Sequence, residues 1–142
     1  MNTRATVMAL AAALTLLGSG TANASPVPHC DLLAASPARA SLPGGVRAVA
    51  WRLTYSTTSA TGAPTTATGA LLAPPAELRR RRGLIAVGVG SQGLADACAP
   101  SRNLRSGALL EAPLIAALVG RGWSVVVPDG QGLGSAGPPT YG

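Results

Sequence analysis

The sequence predicts an α/β fold, in which an antiparallel hairpin leads into a parallel βαβ unit. Three observations predict it. Residues 46–55 and 65–72 are two strand-like runs separated by a turn region. Residues 84–89 and 125–128 are short, continuous apolar runs, the pattern of strands buried on both faces. One helical stretch, residues 113–119, lies between that second pair.

The elements follow in chain order. Arg4, the apolar run at 5–17 and the small residues Ala22-Asn23-Ala24 predict a signal peptide over residues 1–24, and hence a secreted protein. The apolar run falls short of the ~20 residues a membrane-spanning helix needs, so no transmembrane segment is expected. Residues 25–45 are rich in Pro and Ala without a period and predict an extended arm. In 46–55, Val49, Trp51, Leu53 and Tyr55 alternate with Ala50, Arg52 and Thr54, the period of a half-buried strand. Gly62 and Pro64 break the chain before the Thr-rich second strand, which ends at Pro74-Pro75. Pro113 suits a first helical turn, Leu114, Ala117 and Leu118 are expected to form the packed face, and Gly120 and Gly122 end the helix. Residues 46–142 thus read as one domain.

The chain has 142 residues and a formal net charge of +6. All its basic side chains except the aromatic His29 are arginines, and four of them form the run Arg79-Arg80-Arg81-Arg82. Without Lys, Phe or interleaved aromatics, nucleic acid is not an expected partner. A solvated loop before a buried strand accounts for the run, and weak contact with anionic surfaces is its other reading. Cys30 and Cys98 are the two cysteines. In an oxidising compartment they can pair, and a Cys30–Cys98 bridge would stabilise by about 4 kcal/mol in the chain-entropy model. Pairing with cysteines outside this chain is the alternative. No metal-ligand spacing and no cofactor motif stands out.

Two loops follow the carboxyl ends of the buried runs, the edge where open α/β sheets bind ligands. The first begins at Gly90-Ser91-Gln92-Gly93 and the second at Asp129-Gly130-Gln131-Gly132. Gly88, Gly90 and Gly93 spell a G-x-G-x-x-G, but the residues that follow do not read as the helix that a dinucleotide site requires. Ser91 is not a nucleophile elbow, since Val89 stands where G-x-S-x-G needs its first Gly, and Ser135 fails likewise at Leu133. The single His, His29, lies upstream of both. A Gly-Ser-Gln-Gly turn does expose backbone N–H groups to a close-approaching oxyanion, which makes Ser91 and Gln92 oxyanion-loop candidates. An ordinary Gly-rich turn is the competing reading.

The stretch from Leu84 through Gly93 into Asp96-Ala97-Cys98-Ala99-Pro100-Ser101-Arg102 resembles the first core segment of the secretory lipase family of α/β-hydrolases. Residues 116–134, with Arg121-Gly122-Trp123 and Asp129-Gly130-Gln131-Gly132-Leu133-Gly134, resemble that family's helix, turn, strand and Asp-x-x-Gly-Leu-Gly loop. Residues 55–74 resemble its opening hairpin. The resemblance covers residues 46–142 and implies a partial α/β-hydrolase sheet. Val89-Gly90 replaces the family's frequent His-Gly, and Gly130 an aromatic. By resemblance the chain is the first third of a secreted serine carboxyl-ester hydrolase acting on ester or lipid substrates, with no metal or cofactor. The family's nucleophile, acid and His then lie beyond Gly142, so no catalytic residue is expected in this chain and the chain alone is expected to be inactive. Asp129 is expected to anchor the second loop, and Cys98 to pair downstream. The competing expectations are a non-enzymatic truncated product and a small binding module stapled by Cys30–Cys98.

Overall fold

The computed structural model describes residues 30–78 and 83–135. The signal peptide expected over residues 1–24, together with residues 25–29, the Arg79–Arg82 run and residues 136–142, lies outside the described residues. Five strands form one mixed sheet: β1 (Leu32–Ala38), β2 (Val49–Thr58), β3 (Pro64–Ala73), β4 (Leu84–Ala86) and β5 (Ser124–Pro128). Their order is β1-β2-β3-β5-β4. The first three strands pair antiparallel, β3 pairs antiparallel with β5, and β4 and β5 are parallel. Two helices, α1 (Pro100–Ser106) and α2 (Ala112–Gly120), connect β4 to β5.

Register explains where the core sits. Ala50, Leu72 and Val125 stand in one row across the sheet, and Arg52, Ala70 and Val127 in the next. Because side chains alternate across a strand, these rows share a face. Leu104 of α1 and Ile115 and Val119 of α2 pack onto it in a single apolar cluster. The opposite face carries Trp51, Leu53, Leu71 and Val126, all only half-buried.

Several sequence expectations need correction. The arm at 25–45 contains β1, an edge strand bonded to β2, and a short 3-10 turn at Pro43–Gly45. Six of the seven β1 residues are exposed, so burial imposes no alternation, and an edge strand tolerates Pro37. The run at 84–89 is not buried on both faces. Only Leu84–Ala86 is strand, and Leu84 is 61% exposed. Its one partner among the described strands is β5, which leaves its outer edge open. The expected loop at 90–102 yields to α1, which opens at Pro100 and closes on Gly107 at φ 80.

In α2 the buried face is Ala112, Ile115, Ala116 and Val119, whereas Leu114 is 53% exposed. Every side chain on that helix is apolar, so the sequence holds no contrast between the two possible stripes, and the sheet decides. Ile115→Ala should therefore destabilise by about 2–5 kcal/mol, while Leu114→Ala should stay within about 0.5 kcal/mol. Urea midpoints of the two variants check this, and equal losses would contradict the packing.

Candidate functional site

The carboxyl ends of β4 and β5 point toward the same edge, because the two strands are parallel. At the end of β5 stands Asp129, a carboxylate only 4% exposed. Its Oδ2 accepts from Thr68 Oγ1 of β3 at 2.6 Å and from Ser101 Oγ of α1 at 2.7 Å. Its Oδ1 accepts the Ser101 backbone N–H at 2.8 Å, and its own N–H donates to Thr68 O at 2.8 Å. The residue preceding α1, Ala99, offers no side-chain cap. Asp129, 28 residues away, supplies the acceptor that this helix start lacks. With both oxygens engaged, its carboxylate is not free to orient a histidine.

The second loop wraps around this group. Leu133 N–H donates to Gly130 O at 2.9 Å, and Gly134 N–H to Asp96 Oδ1 at 3.3 Å. Gly134 has φ 70, and a Cβ there would lie 3.1 Å from Thr68 Oγ1 and 3.2 Å from the Ala99 methyl. A left-handed backbone in so tight a space requires glycine.

The first loop is held at two points. Gly90 N–H donates to Glu111 Oε1 at 2.8 Å. Gln92 Nε2 reaches Gly90 O at 3.1 Å, and Asn103 Nδ2 of α1 donates to Gln92 Oε1 at 3.3 Å. The Gln92 side chain thus ties its own loop to α1. Ser91 is exposed, and among the described residues neither its N–H nor that of Gln92 donates to any group. Gly93, at φ 115, lies against Cys98, with 2.8 Å between Sγ and the site of a Cβ.

The structure brings Ser91, Gln92 and Asp129 to one edge of the sheet, with Thr68, Ser101, Asn103 and Glu111 as the partners that sequence reasoning missed. Ser101 alone carried a signal, as the last residue of the Cys-Ala-Pro-Ser stretch. Thr68 sits between apolar neighbours in β3, and only its bond to Asp129 reveals its use. Cys30 and Cys98 are separate free thiols, Cys30 exposed ahead of β1 and Cys98 half-buried in a 3-10 turn at Asp96–Cys98, so the Cys30–Cys98 bridge is not formed here. Among the described residues no group of three or more His, Cys, Asp or Glu side chains could hold a metal ion, and no helix is long and apolar enough to cross a membrane.

One titration is displaced. Burial pushes the Tyr55 phenol above its ordinary 10.0, and the charges of Asp129 and then Cys30 raise it further. The folded state therefore favours the neutral phenol. That stability is fully present below pH 10 and is lost as pH rises through the folded-state value. In a Tyr141→Phe chain Tyr55 is the sole tyrosine. Its phenolate absorbance should appear at higher pH than in urea, and Asp129→Asn should bring part of the difference back. A folded midpoint at or below the unfolded one would contradict this environment.

No family model matches the sequence, and no curated protein matches it. Among solved structures the fold is similar to Candida antarctica lipase A in its closed state. The TM-score is 0.61 at 19% identity, over 70% of this chain and 25% of that one. A second structure of the same lipase matches with the same figures. The fold is also similar to a ligand-bound form of the rice cell wall degrading esterase LipA from Xanthomonas oryzae, with a TM-score of 0.50 and 20% identity, over 72% of this chain and 29% of that one. The chain thus spans about a quarter of the length of the structures it matches. At these identities the likeness is one of fold: a five-stranded mixed sheet with helices, of the kind found in lipases and esterases.

Proposed function

We propose that this chain forms the amino-terminal part of a secreted serine carboxyl-ester hydrolase acting on lipid or short-chain esters. The observation that supports it most is the pair of unclaimed N–H groups at Ser91 and Gln92, displayed at the carboxyl edge of a lipase-like sheet. Backbone donors in that place suit the oxyanion that forms when a serine attacks an ester carbonyl. The loop that displays them is braced by Glu111 and by the Gln92–Asn103 bond, so the donors need little reorganisation when charge develops.

In this reading the residues divide their work. Ser91 and Gln92 contribute main-chain N–H groups, and the Ser91 hydroxyl is not the nucleophile. Asp129 is a structural tie between β5, β3 and α1, not the triad acid. The nucleophilic Ser, its His base and the orienting carboxylate come from segments outside residues 1–142, and the acyl-enzyme forms there without metal or cofactor. The half-buried face of Trp51, Leu53, Leu71 and Val126 leaves room for those segments to pack.

Two measurements test this. The 142-residue chain alone should neither hydrolyse a chromogenic ester nor take up a fluorophosphonate, and hydrolysis abolished by Ser91→Ala would overturn the assignment. The coding frame should continue past Gly142 into a G-x-S-x-G followed by an acid and a His, and a stop codon there would refute the hydrolase reading for this protein. In the active enzyme, Gln92→Pro should remove one donor and lower kcat by about 10²–10³.

A further inference from the structure

Four arginines stand outside every role assigned so far. Arg39 follows β1, Arg52 lies in β2, and Arg102 and Arg105 are on α1. All four line one recess of about 240 Å3 between the sheet and α1. Arg39, Arg52 and Arg105 also line a second recess of about 510 Å3, so the two openings share a basic wall.

None of the five acids of the chain answers them. Glu77 pairs with Arg47, Asp96 accepts from Gly134, Glu111 accepts from Gly90, and Asp129 is saturated by Thr68 and Ser101. Asp31 stands ahead of β1, beside Ser56 at the opposite end of β2. Arg52 donates to Gly134 O at 2.6 Å, and among the described residues the guanidinium groups of Arg39, Arg102 and Arg105 make no hydrogen bond or ion pair. Like charges that converge on a recess repel one another, and surfaces without a ligand ordinarily intersperse the two signs. Ala50, Ala70 and the buried Leu104 give the same recess an apolar lining, which strengthens any charge interaction inside it.

We propose that this recess binds a phosphate monoester group through Arg39, Arg52, Arg102 and Arg105. The guanidinium fork matches phosphate oxygens two at a time. A phosphate monoester carries about −1.5 to −2 charge, so it offsets far more of the four positive charges than a carboxylate does. The group belongs either to a soluble phosphate ester or to a phospholipid headgroup presented at a membrane. Ser101 and the Arg52–Gly134 bond make the recess a neighbour of the Asp129 loop, but Ser91 and Gln92 do not line it, and phosphate binding there stands or falls independently of ester hydrolysis.

Calorimetric titration of the purified chain with inorganic phosphate at low ionic strength tests the proposal. One saturable site is expected. Arg39→Gln together with Arg105→Gln should weaken it by about tenfold or more, while Arg47→Gln, whose guanidinium faces Glu77, should leave it unchanged. All three side chains are exposed, so the folds of the variants can be compared directly by circular dichroism. Co-sedimentation with phosphatidylcholine vesicles containing phosphatidic acid, competed by free phosphate, would identify the headgroup as the source. Phosphate binding without co-sedimentation would identify a soluble ester. Absence of saturation, equal loss in Arg47→Gln, or vesicle binding that persists in the double variant and extends equally to phosphatidylglycerol would overturn the assignment.

Discussion

Asp129→Ala is expected to cost about 3–5 kcal/mol of folding stability. Three donors converge on this one carboxylate: Thr68 Oγ1, Ser101 Oγ and the Ser101 N–H. Each buried donor left without an acceptor costs about 1–3 kcal/mol, and donors that share a site do not add in full. Since a domain is stable by about 5–15 kcal/mol, the loss is a large share of the whole. Asp129→Asn makes the more informative comparison. The Ser101 N–H cannot turn, so the amide oxygen must keep the Oδ1 place. The NH2 group then occupies the Oδ2 place, facing two hydroxyls. Hydroxyls can rotate and accept. Thr68 Oγ1 also lies 3.4 Å from Leu133 O, which gives its proton somewhere else to go. Asn should therefore cost about 1–2 kcal/mol, well below Ala. Urea unfolding of both variants with unchanged m-values measures the order. An Ala variant that loses less than about 1 kcal/mol would show that water replaces the carboxylate and that the tie is not structural.

The same cluster marks how much of the architecture can be read along the chain. Strands β2 and β3 are legible because Trp51, Leu53 and Tyr55 alternate with their neighbours and because Gly62 punctuates the turn. Strand β5 is legible as a continuous apolar run. The remainder depends on contacts that no local pattern encodes. Helix α1 has two buried residues, Pro100 and Leu104, too few to establish a period, and its first turn is held by an acid 28 residues away. Strand β1 is exposed along nearly its whole length, and only pairing with β2 defines it. Helix α2 is legible as a helix but not in its orientation, because Leu114 and Ile115 are chemically alike and only the sheet beneath distinguishes them. At the candidate site, the loop around Ser91 and Gln92 announces itself through its glycines. Its braces, Glu111 and Asn103, come from elements whose packing the sequence does not disclose.

Gly69→Ala is the second large effect, expected at about 2–3 kcal/mol or more. Gly69 sits in β3 opposite Pro128 of β5, and a Cβ there would lie 2.7 Å from Val127 O and 3.2 Å from Pro128 Cα. Both are main-chain atoms of a central strand, so no side chain can swing aside, and β3 and β5 must move apart. The next residue along β3 is where that movement is felt, because Thr68 O accepts the Asp129 N–H and Thr68 Oγ1 donates to its carboxylate. The added methyl therefore loosens the Asp129 cluster as well as the ladder. Two consequences follow from this geometry. In a double-mutant cycle, Gly69→Ala and Asp129→Ala together should cost less than the sum of the two, since the first has already weakened what the second removes. Gly120→Ala, at the end of α2 with nothing within 4 Å of its Cβ position, should be neutral or stabilising by up to about 1 kcal/mol, because alanine has the better helix propensity. Strict additivity of the first pair would mean that the strand separation stops short of Thr68. A Gly69→Ala chain as stable as the parent would mean that β3 and β5 are not held at the separation the ladder implies.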